Sequence, residues 1–274
     1  MPEPVTATGI YDKQGGMDIA APSFLSAADP APVRVINPDG ASPLLLVCDH
    51  AGKAVPAALH GLGVEPADLD RHIGWDIGAA AVTEELARRL DATAVLSVYS
   101  RLVVDCNRWP DSPTLMPAIS DGTPVPANAV LSESARIQRL EAFYHPYHDA
   151  ISAARQHIAA RGQSPVLISI HSFTPQMNGF RRPWHVGVLW NRDGGLALPM
   201  LEALRAEPDL VVGDNEPYSA RTGTDFTIIH HGEKAGLPVL MLEIRQDLIA
   251  DAAGAGAWAE RLARLLPAVL ASRA

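Results

Sequence analysis

Three short apolar runs in this chain end in residues that can bind metal or move protons. Leu44 to Cys48 delivers Asp49-His50, Val166 to Ile170 delivers His171-Ser172, and Pro238 to Leu242 delivers Glu243, followed by Arg245 and Asp247. Separately, Asp76 opens a helix-like stretch just after His72-Ile73-Gly74-Trp75. Two imidazoles and one carboxylate are a common ligand set for a hydrolytic zinc ion, with one position left for water. A further carboxylate beside that water acts as general base. His50, Asp76 and His171 supply the ligands in this reading, and Glu243 the base. The local pattern His-Glu-x-x-His is absent, so the signal rests on where the apolar runs stop.

Each residue also has a plainer reading. A histidine at a strand end is often only hydrogen-bonded structure, since histidine is of intermediate burial. Asp76 can cap a helix that begins at Ile77. His72, four residues earlier, is the substitute ligand. Arg101, Arg108 and Arg245 are candidates for a substrate carboxylate, because a guanidinium binds carboxylates in a two-pronged fork; surface ion pairing is the rival use. Asn107-Arg108 follows a fourth strand-like run, Leu102 to Cys106. His230 and His231 are adjacent, and neighbours on a helix point about 100° apart. One of them is therefore expected to line the site. His145 and His148 are expected to face solvent, and Cys48 and Cys106 to be small core residues.

The elements that must position these groups follow from periodicity. Residues 1–33 mix Pro, Ala, Gly and Asp without a sustained period and read as an arm, with a short ordered piece around Phe24 to Leu25. Residues 34–274 read as one domain. Ile77 to Leu90 carries apolar residues at helical spacing, and Ala94 to Val98 is strand-like. Five prolines between Trp109 and Val130 predict a long loop over a site. Ser132 is a candidate N-cap for a helix reaching about Arg161, kinked at Pro146. Val186 to Trp190 reads as a strand, Leu196 to Arg205 as a helix, Ile228 to Ala235 as a helix stopped by Gly236, and Trp258 to Ala271 as a closing helix. Strands alternating with helices predict an α/β three-layer sandwich around a mixed, largely parallel sheet. In such sheets ligands sit beyond the carboxyl ends of the strands, where His50, His171 and Glu243 fall.

Composition narrows the function classes. The 274 residues are 47% hydrophobic and 19% charged, with net charge −9, a globular and acidic chain. That sign disfavours nucleic acid or an anionic membrane as partner. It leaves room for a small anionic substrate held by a few local arginines. Two cysteines argue against a disulfide scaffold, and no apolar run is long enough to span a bilayer. The start of the chain lacks a basic segment followed by an apolar run, so a cytoplasmic protein is expected, as a monomer or small homo-oligomer.

Six segments taken in order resemble the N-formylglutamate amidohydrolase family. They are Cys48-Asp49-His50-Ala51-Gly52 with Pro56, His72 to Gly78, Ser100 to Arg108, Ser169 to Phe173, Asp214 to Ser219, and Glu243 to Leu248. The resemblance spans about Leu44 to Leu266. It implies a phosphorylase/hydrolase-like α/β fold related to zinc carboxypeptidases, and hydrolysis of an N-acyl amino acid. In the family's founding activity, N-formyl-L-glutamate gives formate and L-glutamate at the end of histidine degradation. By the same resemblance His50 and His171 are zinc ligands, Glu243 is catalytic, and Asn107-Arg108 binds the substrate carboxylate. One departure matters: the carboxypeptidase carboxylate follows the first ligand histidine by three positions, where this chain has Lys53. Zinc amidases of similar layout draw a carboxylate from the next helix, which favours Asp76. Arg101 is then the cation beside the reacting carbonyl, with Arg245 and Tyr218 as further substrate contacts. The rival readings are an amidohydrolase acting on another N-acylated acid or a cell-wall amide, and a non-catalytic small-molecule-binding relative.

Overall fold

The computed structural model describes residues 24–272. Most of the expected arm, residues 1–23, lies outside the described residues. Val33–Ile36 (β1) and Leu44–Cys48 (β2) are followed by a one-turn helix, Pro66–Leu69 (α1), and by the amphipathic helix Ala79–Leu90 (α2). Thr93–Ser97 (β3) leads into a long segment whose regular pieces are Ile119–Ser120 (β4), Thr123–Pro124 (β5) and Pro126–Ala129 (α3). Glu133–Arg139 (α4) passes through a π-helical turn, Leu140–Tyr144, into His145–Ala160 (α5). Next come Val166–Phe173 (β6), the small hairpin Gln176–Met177 (β7) and Phe180–Arg181 (β8), and Val186–Leu189 (β9). Ala197–Arg205 (α6), Val212–Asp214 (β10), Val239–Arg245 (β11) and Ala252–Ala271 (α7) complete the strands and α-helices among the described residues.

Seven strands form one sheet in the order β1-β3-β2-β6-β11-β9-β10. The four central strands β3, β2, β6 and β11 are mutually parallel, while β1 runs against β3, and β9 runs against β11 with β10 parallel to β9. Both faces are covered, which is why β2, β6 and β11 are continuous apolar runs rather than alternating ones. Leu44, Leu46 and Cys48 point to the side packed by α2, α6 and α7, and Leu45 and Val47 to the side packed by Tyr147, Ile151 and Ile158 of α5. The expected three layers are present.

Local chemistry sets the boundaries. Ser132 caps α4 by accepting from the Ala135 N–H at 3.2 Å. Asp251 caps α7 in the same way through Gly254, so that helix begins earlier than Trp258. Gly78, at φ 82°, lies against the Ile249 carbonyl, where an added Cβ would stand 2.1 Å from the oxygen. The π-helical turn directly precedes Pro146, whose missing N–H cannot continue the normal ladder. That turn also shifts the helical phase. Ile137 is exposed, and Arg139 is buried.

Two expectations are corrected. Leu102 to Cys106 is not a strand. Its residues are buried in turns, where Leu102, Val103 and Val104 fill a second apolar cluster below the site with Phe143 and Tyr144. Apolar composition alone cannot separate a buried strand from buried irregular chain. His148 does not face solvent. It falls four residues after Tyr144 and three before Ile151, on the stripe that packs inward, whereas His145 is exposed. Cys48 and Cys106 are buried and free, as expected.

Candidate active site

The carboxyl ends of β2, β6 and β11 bring the sequence-nominated groups together. Glu243 and His171 are direct partners in the register between β11 and β6, so their side chains leave neighbouring strands side by side. His50 follows β2, and its ring meets that of His171 edge-on, with centroids 5.0 Å apart. Asp76 does not cap α2: its N–H donates to the His50 carbonyl at 2.9 Å, and its carboxylate turns to the two histidines. His50, Asp76 and His171 are buried, and their ligand atoms lie within 4.8 Å of one another. The site opens into a cavity of about 690 Å³.

Which nitrogen each histidine offers is fixed by a second ring of carboxylates. His171 Nε2 lies 2.9 Å from Asp49 Oδ2, and His50 Nε2 lies 2.7 Å from Asp105 Oδ1. An ionised carboxylate can only accept, so each Nε2 can donate outward to its carboxylate, and a cation bound at the cluster would meet the Nδ1 side. Both Nδ1 atoms then turn to the same Asp76 oxygen, at 2.8 Å from His171 and 3.4 Å from His50. Carboxylate–histidine pairs of this kind orient metal ligands and raise their basicity. The donor set fits a divalent cation.

Electrostatics agree with that fit. Asp49, Asp76, Asp105 and Glu243 are all buried, and Arg101 is in direct contact with Asp76 and Asp105. Burial alone would raise the Asp76 carboxyl, but His50 and His171 hold it well below the ordinary carboxylate range. Asp49 is lowered too, by His171, His50 and Thr227 against its burial. Glu243 behaves in the opposite way. Burial pushes it up to about 7, and its Oε2 is buried without a hydrogen-bond partner.

The remaining nominated residues divide. Arg101 lines the cavity and is gripped by Asp105 at 2.8 Å and Asp76 at 3.3 Å. Arg108 lines it as well, with Nη1 3.7 Å from Asp225 Oδ1. Asn107 also lines the cavity, but both ends of its carboxamide are engaged. It donates to Asp225 and accepts from the Thr227 N–H. Tyr218 stands on the wall with Arg182 stacked over its ring at 4.8 Å. Arg245 is not brought to the cavity: at the strand end it is captured by Asp247 at 2.8 Å and faces the Trp184 carbonyl. His72 reaches the rim rather than the ligand cluster, and its Nε2 lies 3.3 Å from Asp121. Neither His230 nor His231 lines the cavity, contrary to expectation. His231 pairs with His148 at 2.9 Å, and His230 stacks on Phe226. The proline-rich loop does lie over the site, contributing Thr114, Pro117, Ile119, Ser120 and Asp121.

Sequence reasoning gives Asp49 and Asp105 no role of their own. Asp49 stands beside His50 and Asp105 beside Cys106, and nothing in a lone acidic residue tells a ligand's partner from a surface charge. Asp225, which touches Asn107 and faces Arg108, was missed for the same reason.

Comparison with known proteins follows this geometry. Residues 42–250 match the family described as N-formylglutamate amidohydrolase. The chain is similar to the gene product Atu2144 of Agrobacterium tumefaciens, with 38% identity, a TM-score of 0.88, and coverage of 91% of this chain and 98% of that one. It shares its fold with N-formylglutamate amidohydrolase from Ralstonia eutropha JMP134, at 22% identity and a TM-score of 0.70, covering 89% of this chain and 99% of that one. No curated protein matches it by sequence.

Proposed function

The chain belongs to the N-formylglutamate amidohydrolase family, and from that membership we propose that it hydrolyses the amide bond of an N-formyl amino acid, releasing formate and the free amino acid. The observation that carries the reading is the pairing of a buried His50–Asp76–His171 cluster with an unpartnered Glu243 on the adjoining strand. N-formyl-L-glutamate is the substrate that gives the family its name.

His50, Asp76 and His171 are the residues that would hold a divalent ion, with zinc favoured by two imidazoles and one carboxylate. Bound there, the ion supplies Lewis acidity that draws water toward ionisation and polarises the amide carbonyl. Glu243 takes a proton at its free carboxylate oxygen and returns it to the departing amine nitrogen. Its raised pKa suits both halves of that task, because a base near 7 is also a usable acid. Arg101 sets a positive charge beside the developing oxyanion. Arg108 receives the α-carboxylate of the substrate, and Asn107 holds Asp225 and Thr227 in place behind it. Tyr218 and the proline-rich loop wall the substrate off from water.

Metal analysis of the purified protein, followed by formate release from a panel of N-formyl, N-acetyl and N-succinyl amino acids, tests this. One equivalent of zinc and formate from the formylated members are expected. Release of acetate or succinate at equal rates would move the assignment to a general deacylase, and a metal-free, inert protein would leave only a binding role.

A further inference from the structure

We propose that Arg182 is the residue that reads the substrate's side chain, pairing with a carboxylate there while Arg108 holds the α-carboxylate. The inference rests on the deformylase reading above and adds to it the group that selects an acidic amino acid.

Arg182 directly follows β8, and its N–H donates to the Pro175 carbonyl at 2.9 Å, so the small hairpin fixes where it stands. Its guanidinium carbon lies 4.8 Å from the ring centre of Tyr218 and 5.7 Å from that of Phe173. Both rings line the cavity. So does Thr174, whose carbonyl and hydroxyl accept from Arg182 Nη1 at 3.3 and 3.1 Å. Only 8% of the residue is exposed, yet Nε and Nη2 are not sealed from solvent.

What Arg182 lacks is a counter-charge. Among the described residues no carboxylate lies within ion-pair distance of it, whereas the neighbouring cations are matched. Arg101 is held by Asp76 and Asp105, Arg108 faces Asp225 at 3.7 Å, and Arg71 takes Asp121 at 3.0 Å. A buried charge without a partner carries an uncompensated desolvation cost. The two aromatic faces offset part of that cost by cation–π attraction, and the neutral Thr174 oxygens another part. A carboxylate that takes the unengaged side of the fork completes the pair.

The surroundings tie this charge to the reacting centre. Burial and Glu243 push the Tyr218 phenol up, and Arg182 opposes them. The charges of Arg182 and Glu243 are thus felt at one phenol on the cavity wall. The rival use for Arg182 is a flat prop for Tyr218. A prop serves every substrate alike, while a charge reader separates substrates that differ only in charge.

The test compares kcat/KM for N-formyl-L-glutamate and N-formyl-L-glutamine, which match in shape, on the metal-loaded full chain. The wild type should favour glutamate by about tenfold or more, as a charge-assisted fork is lost with glutamine. Added salt should narrow that preference. Arg182→Met should lower the glutamate-to-glutamine ratio by about tenfold or more, chiefly through the KM for glutamate. Arg182→Lys, which keeps the charge but not the fork, should fall between the two. Parity of the two substrates in the wild type overturns the proposal. So does an equal fall for both in Arg182→Met, the outcome a prop would give. Should that variant fail to fold, a wild-type ratio in Arg182→Lys overturns it instead. If neither compound releases formate, the deformylase reading falls. Calorimetric binding of the same two compounds to wild type and variant then still decides whether Arg182 reads charge, with an unchanged ratio of affinities overturning it.

Discussion

Asp49 accepts a hydrogen bond from His171 Nε2 at 2.9 Å, and that bond decides which face of the imidazole looks into the site. The same carboxylate accepts from the hydroxyls of Tyr147 on α5, Thr227 and Ser169, so one buried group ties three parts of the fold to a candidate ligand. Asp49→Asn should weaken metal binding by roughly 10- to 100-fold, the usual effect of removing such a partner. It should also cost about 1–3 kcal/mol of stability through imperfectly matched hydroxyls. Competition with a chromogenic chelator and urea unfolding read the two effects separately.

Glu243→Gln keeps the size of the side chain and removes the base. Turnover should fall by about 10²- to 10⁴-fold with metal content unchanged. In the wild type, kcat/KM should rise as the carboxyl loses its proton, with a midpoint no higher than about 7, since any cation held by His171 and Asp76 favours the ionised form. Retained turnover in the glutamine variant would remove Glu243 from the role of base.

Away from the site, burial lowers His148 to about 3 and His231 to about 4. In the unfolded chain both titrate near 6.5, so below that pH the unfolded state takes up protons the folded state refuses. The contribution is complete above about 6.5 and is lost as pH falls toward the folded values. The urea midpoint should therefore drop between pH 6.5 and 4, and replacing both histidines by leucine should flatten the fall. An equal slope in the double variant would assign acid sensitivity to other groups.

Arg139 is buried, and it donates to Asn128 Oδ1 at 2.6 Å and to the Val103 carbonyl at 3.2 Å. These bonds pin the segment that carries Asp105, Asn107, Arg108 and the proline-rich loop. Arg139→Met preserves the apolar stem and strands two buried acceptors, at a cost of about 3 kcal/mol. A higher KM should accompany the loss, measured on protein kept well below its unfolding temperature.

Much of this was legible from residue order. β2, β6 and β11 read correctly as strands, and the rule that ligands collect at their carboxyl ends brought His50, His171 and Glu243 together. The fate of Asp76 was open between cap and cluster, because both uses place an aspartate before a helix. What stayed hidden depends on contacts far apart in the chain. Asp49 and Asp105 act only through imidazoles that the fold delivers to them. Arg245 looked as well placed as Arg108 until Asp247 captured it. Leu102 to Cys106 mimicked a strand because irregular chain below the site is as apolar as the sheet.

The register that sets Glu243 opposite His171 has an evolutionary consequence. Loops around the cavity can lengthen, shorten or exchange residues without altering the spacing between those two groups, because that spacing belongs to two neighbouring hydrogen-bonded strands. A single-residue slip of either strand would instead send one of the side chains to the opposite face of the sheet. Substrate preference is thus free to diversify among descendants of this fold, while the reacting pair is inherited as one unit.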